Sequence, residues 1–181
     1  MEEDKKLYKR FLNGDNESFE LIINKYMEKI IYFIYKFVKS MDVAEDLAQD
    51  VFVYILMNQE KYDSKYSLKA YLYTIAKSKT LNYIKREKKI TYLQENEYIF
   101  NEQEIEDAIF DKEQSQKLKI AIDHLPEPQN QIIYLVDIEE LSYKEICTIF
   151  DMSLSQVKTL IHRGRKKLKE ILRKEVNNYD G

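Results

Sequence analysis

Apolar residues recur at steps of three and four positions along most of this chain, which is the spacing that gathers them on one face of an α-helix. The first such stripe follows a break at Asn13-Gly14-Asp15, and its members are Phe19, Ile22, Ile23, Tyr26, Ile30, Phe33, Ile34 and Phe37. A second helix is predicted to begin at Asp42, because Asp42 and Glu45 fit a capping box.

The second predicted helix has two unlike faces. Its apolar stripe consists of Val43, Leu47, Val51 and Ile55. Its other face carries Asp46, Gln49, Asp50 and Val53, with Phe52 near the boundary. With no convergent partner for these carboxylates, the polar face is predicted to be solvated or to dock on another protein.

A polar segment from Glu60 to Lys65 lacks apolar periodicity and is predicted to be a loop. Ser67 then caps a long helix that ends in a basic run from Lys85 to Lys89. Lysines and tyrosines alternate along this loop and helix. Because cations follow phosphates and aromatic rings stack on bases, the mixture favours binding to unpaired DNA.

Helical periodicity fades between Thr91 and Gln114 and then returns. One apolar face is formed by Leu118, Ala121, Ile122 and Leu125. Pro126 ends that helix, and Pro128 is predicted at the first position of the next one. The apolar residues of this next helix are Ile132, Ile133, Leu135 and Val136.

Two capping boxes follow eleven positions apart, Ser142 with Glu145 and Ser153 with Gln156. They predict a short helix from Tyr143 to Phe150, a turn at Asp151-Met152 and a second helix after Ser153. This is the spacing of a helix-turn-helix. The second helix is basic apart from an apolar stripe formed by Val157, Ile161 and Leu168, so it is predicted to present a cationic face to a DNA major groove.

Charge is segregated along the chain, although the net charge is only −3. Nine basic and two acidic residues lie between Lys61 and Lys89, and nine basic and four acidic residues lie between Leu141 and Glu175. The stretch from Gln94 to Glu113 has eight acidic residues and one basic residue. The two cationic blocks indicate two surfaces for a polyanion, and the acidic block indicates a connector that such a surface repels.

The sequence offers little for catalysis. His124 and His162 are far apart, and the single cysteine, Cys147, is predicted to face the core and cannot form an internal disulfide. The N-terminus lacks a signal-peptide pattern, and the apolar stretch from Ile30 to Val38 is too short to span a bilayer. We therefore expect a cytoplasmic protein that is not an enzyme, with no cofactor, no metal site, no small-molecule substrate and no membrane insertion.

Several segments resemble the extracytoplasmic-function (ECF) RNA polymerase sigma factors. The run Asp42-Val-Ala-Glu-Asp-Leu-Ala-Gln-Asp-Val-Phe52, then Tyr62-Asp63 and Ser67-Leu-Lys-Ala-Tyr-Leu-Tyr-Thr-Ile-Ala76, is similar to region two of that family. The segments from Leu125-Pro126 to Ile146 and from Val157 to Leu168 are similar to region four. The resemblance implies an all-α fold with two small helical domains joined by an acidic linker.

The implied organisation is region two in 1–92, the linker in 93–114, the helix-turn-helix of region four in 115–175 and a tail in 176–181. The implied partners are the RNA polymerase core, promoter DNA and an anti-sigma factor. Residues implied to read the −35 element are Ser155, Gln156, Lys158, Thr159, His162 and Arg163. Residues implied to contact the −10 element are Lys61, Lys65, Tyr66, Lys69, Tyr71, Lys77 and Lys79. Residues implied to bind core polymerase are Asp46, Gln49, Asp50 and Phe52.

The chain departs from the family pattern at several positions. Tyr71 stands where the family usually has Trp, and Leu160 where an Arg is common, so the preference for a DNA sequence is expected to differ. Asp151 replaces a usual Gly, but Asp tolerates a left-handed turn and is expected to preserve the fold. The departures leave open a relation to the toxin-gene sigma factors of anaerobic bacteria.

Two other hypotheses remain. A helix-turn-helix transcriptional regulator with an N-terminal helical sensor or dimerisation domain would show a ligand cavity or a symmetric interface in residues 1–92. An anti-sigma or scaffold protein would use its helices only for protein contacts, and the cationic C-terminal helix argues against it.

Overall fold

The computed structural model describes the backbone of residues 2–94 and 113–179 and the side chains of residues 2–89 and 118–173. Every regular element within these ranges is helical. The described residues form two compact units: the first contains residues 2–89 together with 148–151, and the second contains residues 90–94, 113–147 and 152–179. The predicted all-α fold with two helical domains is confirmed, while the predicted linker lies almost entirely outside the described residues.

The first unit contains four α-helices: α1 (Glu2–Leu12), α2 (Asn16–Val38), α3 (Met41–Met57) and α4 (Leu68–Gln94). Residues 58–67, called the 58–67 loop below, join α3 to α4 and include a 3-10 turn at Gln59–Lys61. Helix α2 packs against both α1 and α3. None of the described helices has the length and apolarity needed to cross a membrane.

Aromatic contacts link the helices of the first unit. The ring of Phe19 stacks on Phe11 of α1 at 4.4 Å between centroids, and it meets Phe52 of α3 edge-on at 6.5 Å. Phe33 of α2 meets Tyr73 of α4 edge-on at 5.0 Å. Because offset and edge-on pairs are the favourable arrangements for aromatic rings, these contacts fix α1, α3 and α4 around α2.

Helix α3 begins at Met41, one residue before the predicted start, and its cap is Ser40, two residues before the predicted cap Asp42. The Oγ atom of Ser40 accepts the backbone N–H of Val43 at 3.5 Å, so Asp42 lies inside the first helical turn. The reason lies in the preceding connection, because α2 ends at Val38 and Lys39 adopts a left-handed conformation. Only two residues therefore separate the helices, and Ser40 is the residue in the extended conformation that a cap requires.

The second unit contains α5 (Glu113–Asp123), α6 (Gln129–Ile133), α7 (Tyr143–Phe150) except for its last three residues, and α8 (Leu154–Tyr179), with a π-helical turn at Tyr134–Ile138 after α6. Helix α6 packs against α5 and α8. Pro128 precedes α6 as its cap residue, so its predicted place at the first helical position is wrong by one. Its ψ of 12° lies outside the helical range.

Helices α6 and α8 approach each other closely at Gly164. A Cβ atom at that position would lie 2.8 Å from Cγ1 of Ile133, a separation that real Cβ atoms do not tolerate. Ile133 is fully buried. The absence of a side chain at Gly164 therefore sets how near α8 lies to α6.

Three connections in the described chain use a non-glycine residue with positive φ: Lys39 at 55°, Glu140 at 55° and Asp151 at 53°. Asp151 lies in the turn between α7 and α8, where the N–H of Met152 donates to the carbonyl of Cys147 at 3.1 Å. The expectation that Asp151 takes a left-handed conformation without disturbing the turn is confirmed.

Candidate nucleic-acid interface

Both predicted capping boxes of the helix-turn-helix are present. In the first, Ser142 Oγ accepts the N–H of Glu145 at 3.3 Å and Glu145 Oε2 accepts the N–H of Ser142 at 2.8 Å. In the second, Ser153 and Gln156 make the same two hydrogen bonds at 3.3 and 2.8 Å. These reciprocal bonds fix the first turns of α7 and α8, as the sequence predicted.

Helix α8 separates an apolar side from a polar side. Val157, Ile161 and Leu168 are 0%, 2% and 7% exposed, so they dock α8 on its own unit. All the residues predicted to read the −35 element are exposed on the remaining surface of the helix: Ser155, Gln156, Lys158, Thr159, His162 and Arg163. The structure therefore brings this predicted group together on one open face.

Internal hydrogen bonds limit what some basic and polar residues of α8 can offer to DNA. Thr159 donates its hydroxyl proton to the carbonyl of Ser155 at 2.9 Å. Arg165 is bound by both carboxylate oxygens of Asp137, one of them 3.1 Å from Nε, and a guanidinium nitrogen lies 3.5 Å from the Tyr143 hydroxyl. Arg165 therefore ties α8 to the π-helical turn, whereas Lys158 and Arg163 form no ion pair among the described residues.

The 58–67 loop presents part of the group predicted to contact the −10 element. Lys61, Lys65 and Tyr66 are exposed, and Tyr66 retains 60% of its accessible surface. Lys61 and Lys79 converge on the ring of Tyr54, with their ammonium nitrogens 5.3 and 5.7 Å from its centroid. Cation–π contacts of this kind hold both lysines beside the loop.

Tyr71 differs from Tyr66, because it belongs to α4 and packs against the loop. It is half-buried, and its ring centroid lies 5.3 Å from that of Tyr62. Tyr62 in turn donates its hydroxyl proton to the carbonyl of Tyr66 at 2.8 Å. Burial raises the pKa of Tyr71, and burial together with nearby carboxylates raises the pKa of Tyr62 to about 12, so both rings stay neutral. Lys69 and Lys77 are half-buried on α4.

The outer face of α3 carries three of the four residues predicted to bind core polymerase. Asp46, Gln49 and Asp50 are exposed, and Asp50 lies 3.7 Å from Lys79 Nζ. Phe52 does not share that face. Its ring is only 3% exposed because it packs on Phe19, so its placement at a partner surface is a correction to the prediction.

The outer face of α3 also includes two residues that the sequence prediction did not name, Leu56 and Met57. Val53, Leu56 and Met57 follow the acidic residues at helical spacing and are 55%, 43% and 78% exposed. The face is therefore acidic at its N-terminal half and apolar at its C-terminal half.

Tyr8, Tyr54 and Tyr62 were missed as functional candidates. Tyr54 is one turn from Asp50 on α3, which is a local signal that could have found it. Tyr62 was noted only as part of a motif. Tyr8 gives no signal at all, because its contact with the loop joins residues 51 positions apart.

These features define a class of protein: a DNA-binding protein with two helical units, one of which presents a basic helix of a helix-turn-helix. The family described as "Sigma-70 region 2" matches residues 22–90, and "Sigma-70, region 4" matches residues 115–168. The region 2 segment falls in the first unit apart from residue 90, and the region 4 segment falls in the second unit apart from residues 148–151. The chain belongs to the ECF RNA polymerase sigma factors, and it acts as a sigma factor in transcription initiation.

Individual proteins agree with the family matches. The chain is 31% identical over 180 residues to the ECF RNA polymerase sigma factor SigW of Bacillus subtilis (strain 168), covering 93% of this chain and 96% of SigW. It is 30% identical to the RNA polymerase sigma factor YlaC of the same strain, covering 87% of this chain and 94% of YlaC. The fold is similar to that of the sigma factor RpoE of Bartonella quintana, solved in complex with the anti-sigma factor NepR, with a TM-score of 0.71, 22% identity and coverage of 87% of this chain and 98% of RpoE.

Proposed function

We propose that this sigma factor contacts the −35 element through α8 and the −10 element through the 58–67 loop and α4, while the outer face of α3 binds the polymerase core. The most direct support is the arrangement of α8, whose apolar stripe is buried while Lys158 and Arg163 are open to solvent. The protein works in the cytoplasm and catalyses no reaction itself. It favours promoter opening by binding bases that the duplex releases.

We propose that the two units have different functions. Residues 1–92 form region two, which binds the core and the −10 element. Residues 93–114 form the acidic linker, residues 115–175 form region four, and residues 176–181 form a tail. A helix-turn-helix repressor or activator is less well supported, because the matched families cover both units and both belong to sigma factors.

The core-binding surface is proposed to consist of Asp46, Gln49 and Asp50 with the neighbouring apolar residues Val53 and Met57. The acidic half would attract a basic partner, and the apolar half would be buried in the contact. Phe52 supports this surface from inside by packing on Phe19. An anti-sigma factor is proposed as a further partner, by analogy with the RpoE–NepR complex.

Run-off transcription with purified bacterial core polymerase and genomic DNA fragments tests the proposal as a whole. The wild-type chain should produce transcripts with defined start points, and core alone should not. The triple substitution Asp46→Lys, Gln49→Lys and Asp50→Lys should lower core affinity by about tenfold or more, because like charges then face a basic partner.

A matched control is available on α2. The triple substitution Glu17→Lys, Glu20→Lys and Asn24→Lys changes the charge by the same amount, and all three positions are exposed. It should leave core affinity near that of wild type. Equal core binding by the two triple variants would contradict the assignment of α3, and a lack of specific transcripts from any fragment would contradict the proposed function.

A further inference from the structure

Helix α1 lies outside the segment matched by the region 2 family, which begins at residue 22, yet it is firmly fixed to the first unit. Asp4 is 5% exposed and accepts hydrogen bonds from Lys25 Nζ at 2.6 Å and from the Tyr26 hydroxyl at 3.0 Å. Phe11 stacks on Phe19. These contacts hold α1 along α2 and bring Tyr8 to the base of the 58–67 loop.

Tyr8 is 1% exposed and makes two contacts with that loop. Its hydroxyl donates to the backbone carbonyl of Gln59 at 2.8 Å, and its ring meets the ring of Tyr62 edge-on at 4.7 Å. A buried phenol usually finds a hydrogen-bond partner, and here the partner is the loop backbone itself. Tyr8 therefore fixes the first half of the loop to α1.

The contacts continue from Tyr62 to the residues proposed to meet unpaired bases. The ring of Tyr62 packs beside Tyr71 at 5.3 Å, and its hydroxyl binds the carbonyl of Tyr66 at 2.8 Å. Other hydrogen bonds in the loop join near neighbours, such as the N–H of Tyr66 with the carbonyl of Asp63. Those local bonds shape the loop, whereas the contacts with Tyr8 and Tyr71 fix its position relative to α1 and α4.

We propose that Tyr8 is a positioning residue for promoter opening: it sets the geometry of the 58–67 loop through Gln59 and Tyr62, so that Tyr66 and Tyr71 are preorganised to receive an unpaired base. The proposal rests on the proposed role of the loop at the −10 element. Preorganisation increases affinity because the loop loses less conformational freedom when DNA binds. Helix α1 thereby contributes to promoter opening through the contacts of Tyr8 with the loop.

Two matched substitutions test the proposal in holoenzyme assembled from the full chain and core polymerase. Tyr8→Phe removes the hydrogen bond to Gln59, and Tyr26→Phe removes a comparable buried hydrogen bond to Asp4, which joins α2 to α1 rather than to the loop. The probe is a single-stranded oligonucleotide carrying the non-template −10 strand of a promoter found by run-off transcription. Tyr8→Phe should weaken its binding by about fivefold, the effect of losing one hydrogen bond. Tyr26→Phe should change it by less than about twofold.

A spectroscopic reporter separates positioning from general stability. The chain contains no Trp, so Tyr66→Trp introduces a single indole, which can be excited selectively, at an exposed position of the loop. In this background Tyr8→Phe should lower the fluorescence anisotropy of the indole and increase its quenching by acrylamide. Tyr26→Phe should leave both unchanged. If Tyr8 only stabilised the fold, the two substitutions would change the anisotropy and the quenching by similar amounts.

The outcomes distinguish this inference from the proposed function. If Tyr71→Ala and Lys65→Ala both bind the single strand as wild type does, the role of the loop at the −10 element is wrong. If those two variants lose binding while Tyr8→Phe binds normally, only the role of Tyr8 is wrong. Equal losses in Tyr8→Phe and Tyr26→Phe would also overturn it, because the effect would then follow stability alone.

Discussion

Gln156 both caps α8 and lies on the face proposed to read DNA. Its Oε1 atom accepts from the backbone N–H of Ser153 at 2.8 Å and from the Ser153 hydroxyl at 2.9 Å. With that oxygen occupied, the side chain has only its N–H donors left for a base edge. It can bind guanine N7 or O6, or thymine O4, but it lacks the donor–acceptor pair that reads adenine at two points.

Gln156→Glu should therefore change which base is preferred. Glu also completes a capping box, so α8 should keep its start, but the carboxylate can only accept hydrogen bonds. Preference at the contacted base pair should move from guanine or thymine towards cytosine, which presents an N4–H donor. Sequencing of the promoter variants that wild-type and variant holoenzyme select from a randomised −35 element measures this.

The other capping box supplies the control for that change. Glu145→Gln is the reverse exchange at the start of α7, where the same pair of bonds joins Ser142 and residue 145. It should leave base preference unaltered. A Gln156→Glu variant that selects the wild-type −35 sequence would show that residue 156 does not read a base.

Adding one methyl group at Gly164 is expected to lower the free energy of unfolding. Gly164→Ala places a Cβ against Cγ1 of Ile133, and overpacking of this kind costs about 1–3 kcal/mol. The higher helix propensity of Ala offsets about 1 kcal/mol of that. We expect a net loss of roughly 1 kcal/mol in the free energy of unfolding of the second unit, measured by hydrogen exchange.

A double-mutant cycle tests whether the contact itself is responsible. Ile133→Ala removes the side chain that the new methyl group would meet, so combining it with Gly164→Ala should cost less than the sum of the two single changes. Lys166→Ala, at an exposed position of the same helix, should change stability by less than about 0.5 kcal/mol. If the stability changes of the two single substitutions simply add, the contact between residues 164 and 133 is not the cause of the loss.

At the scale of elements, the starts of helices were predictable wherever the signal is local. The boxes at Ser142 and Ser153 join residues three positions apart, so the sequence contains both partners of each bond. The start of α3 was wrong because Ser40 and Asp42 are both good caps, and the short connection from α2 decides between them. Phe52 was misplaced because α3 alone puts it at a boundary, and Phe19 of α2 is what covers it.

The attachment of α1 to α2 should depend on pH through Asp4. Burial raises the pKa of this carboxyl, but hydrogen bonds from Lys25 and Tyr26 outweigh burial and hold the pKa below its ordinary value of 3.8. A carboxyl whose pKa is lowered by folding stabilises the fold above its unfolded pKa, and this contribution is lost as pH falls through the folded pKa. The attachment of α1 should therefore weaken below about pH 4.

Hydrogen exchange of the α1 amides in wild type and Asp4→Asn measures this dependence. The difference in protection should be largest near neutral pH and should shrink as pH falls below 3.8. Glu3→Gln is the control, because Glu3 lies 3.5 Å from Lys25 but is mostly exposed and should contribute little. A difference that stays constant down to low pH would mean that the charge of Asp4 does not hold α1.

At the scale of the whole molecule, periodicity and charge predicted two helical units and the open basic face of α8. They could not predict the contact of Tyr8 with Gln59 or the close approach of Gly164 to Ile133. A repeating pattern identifies which side of a helix is buried, but it contains no information about what covers that side. The acidic connector inferred from the sequence falls almost entirely in the part of the chain that lies outside the described residues.

The left-handed joints at Lys39, Glu140 and Asp151 have a consequence for how such a sequence can evolve. A left-handed conformation strains a residue that carries a side chain, whereas glycine avoids the strain but gives the unfolded chain more freedom. The two effects oppose each other, so glycine and a short polar residue can exchange at such a joint with little net change in stability. Asp151, where the resemblance to the family implies a usual glycine, fits such an exchange, so a turn of this kind lets the sequence vary at one position while its hydrogen bond from Met152 to Cys147 is kept.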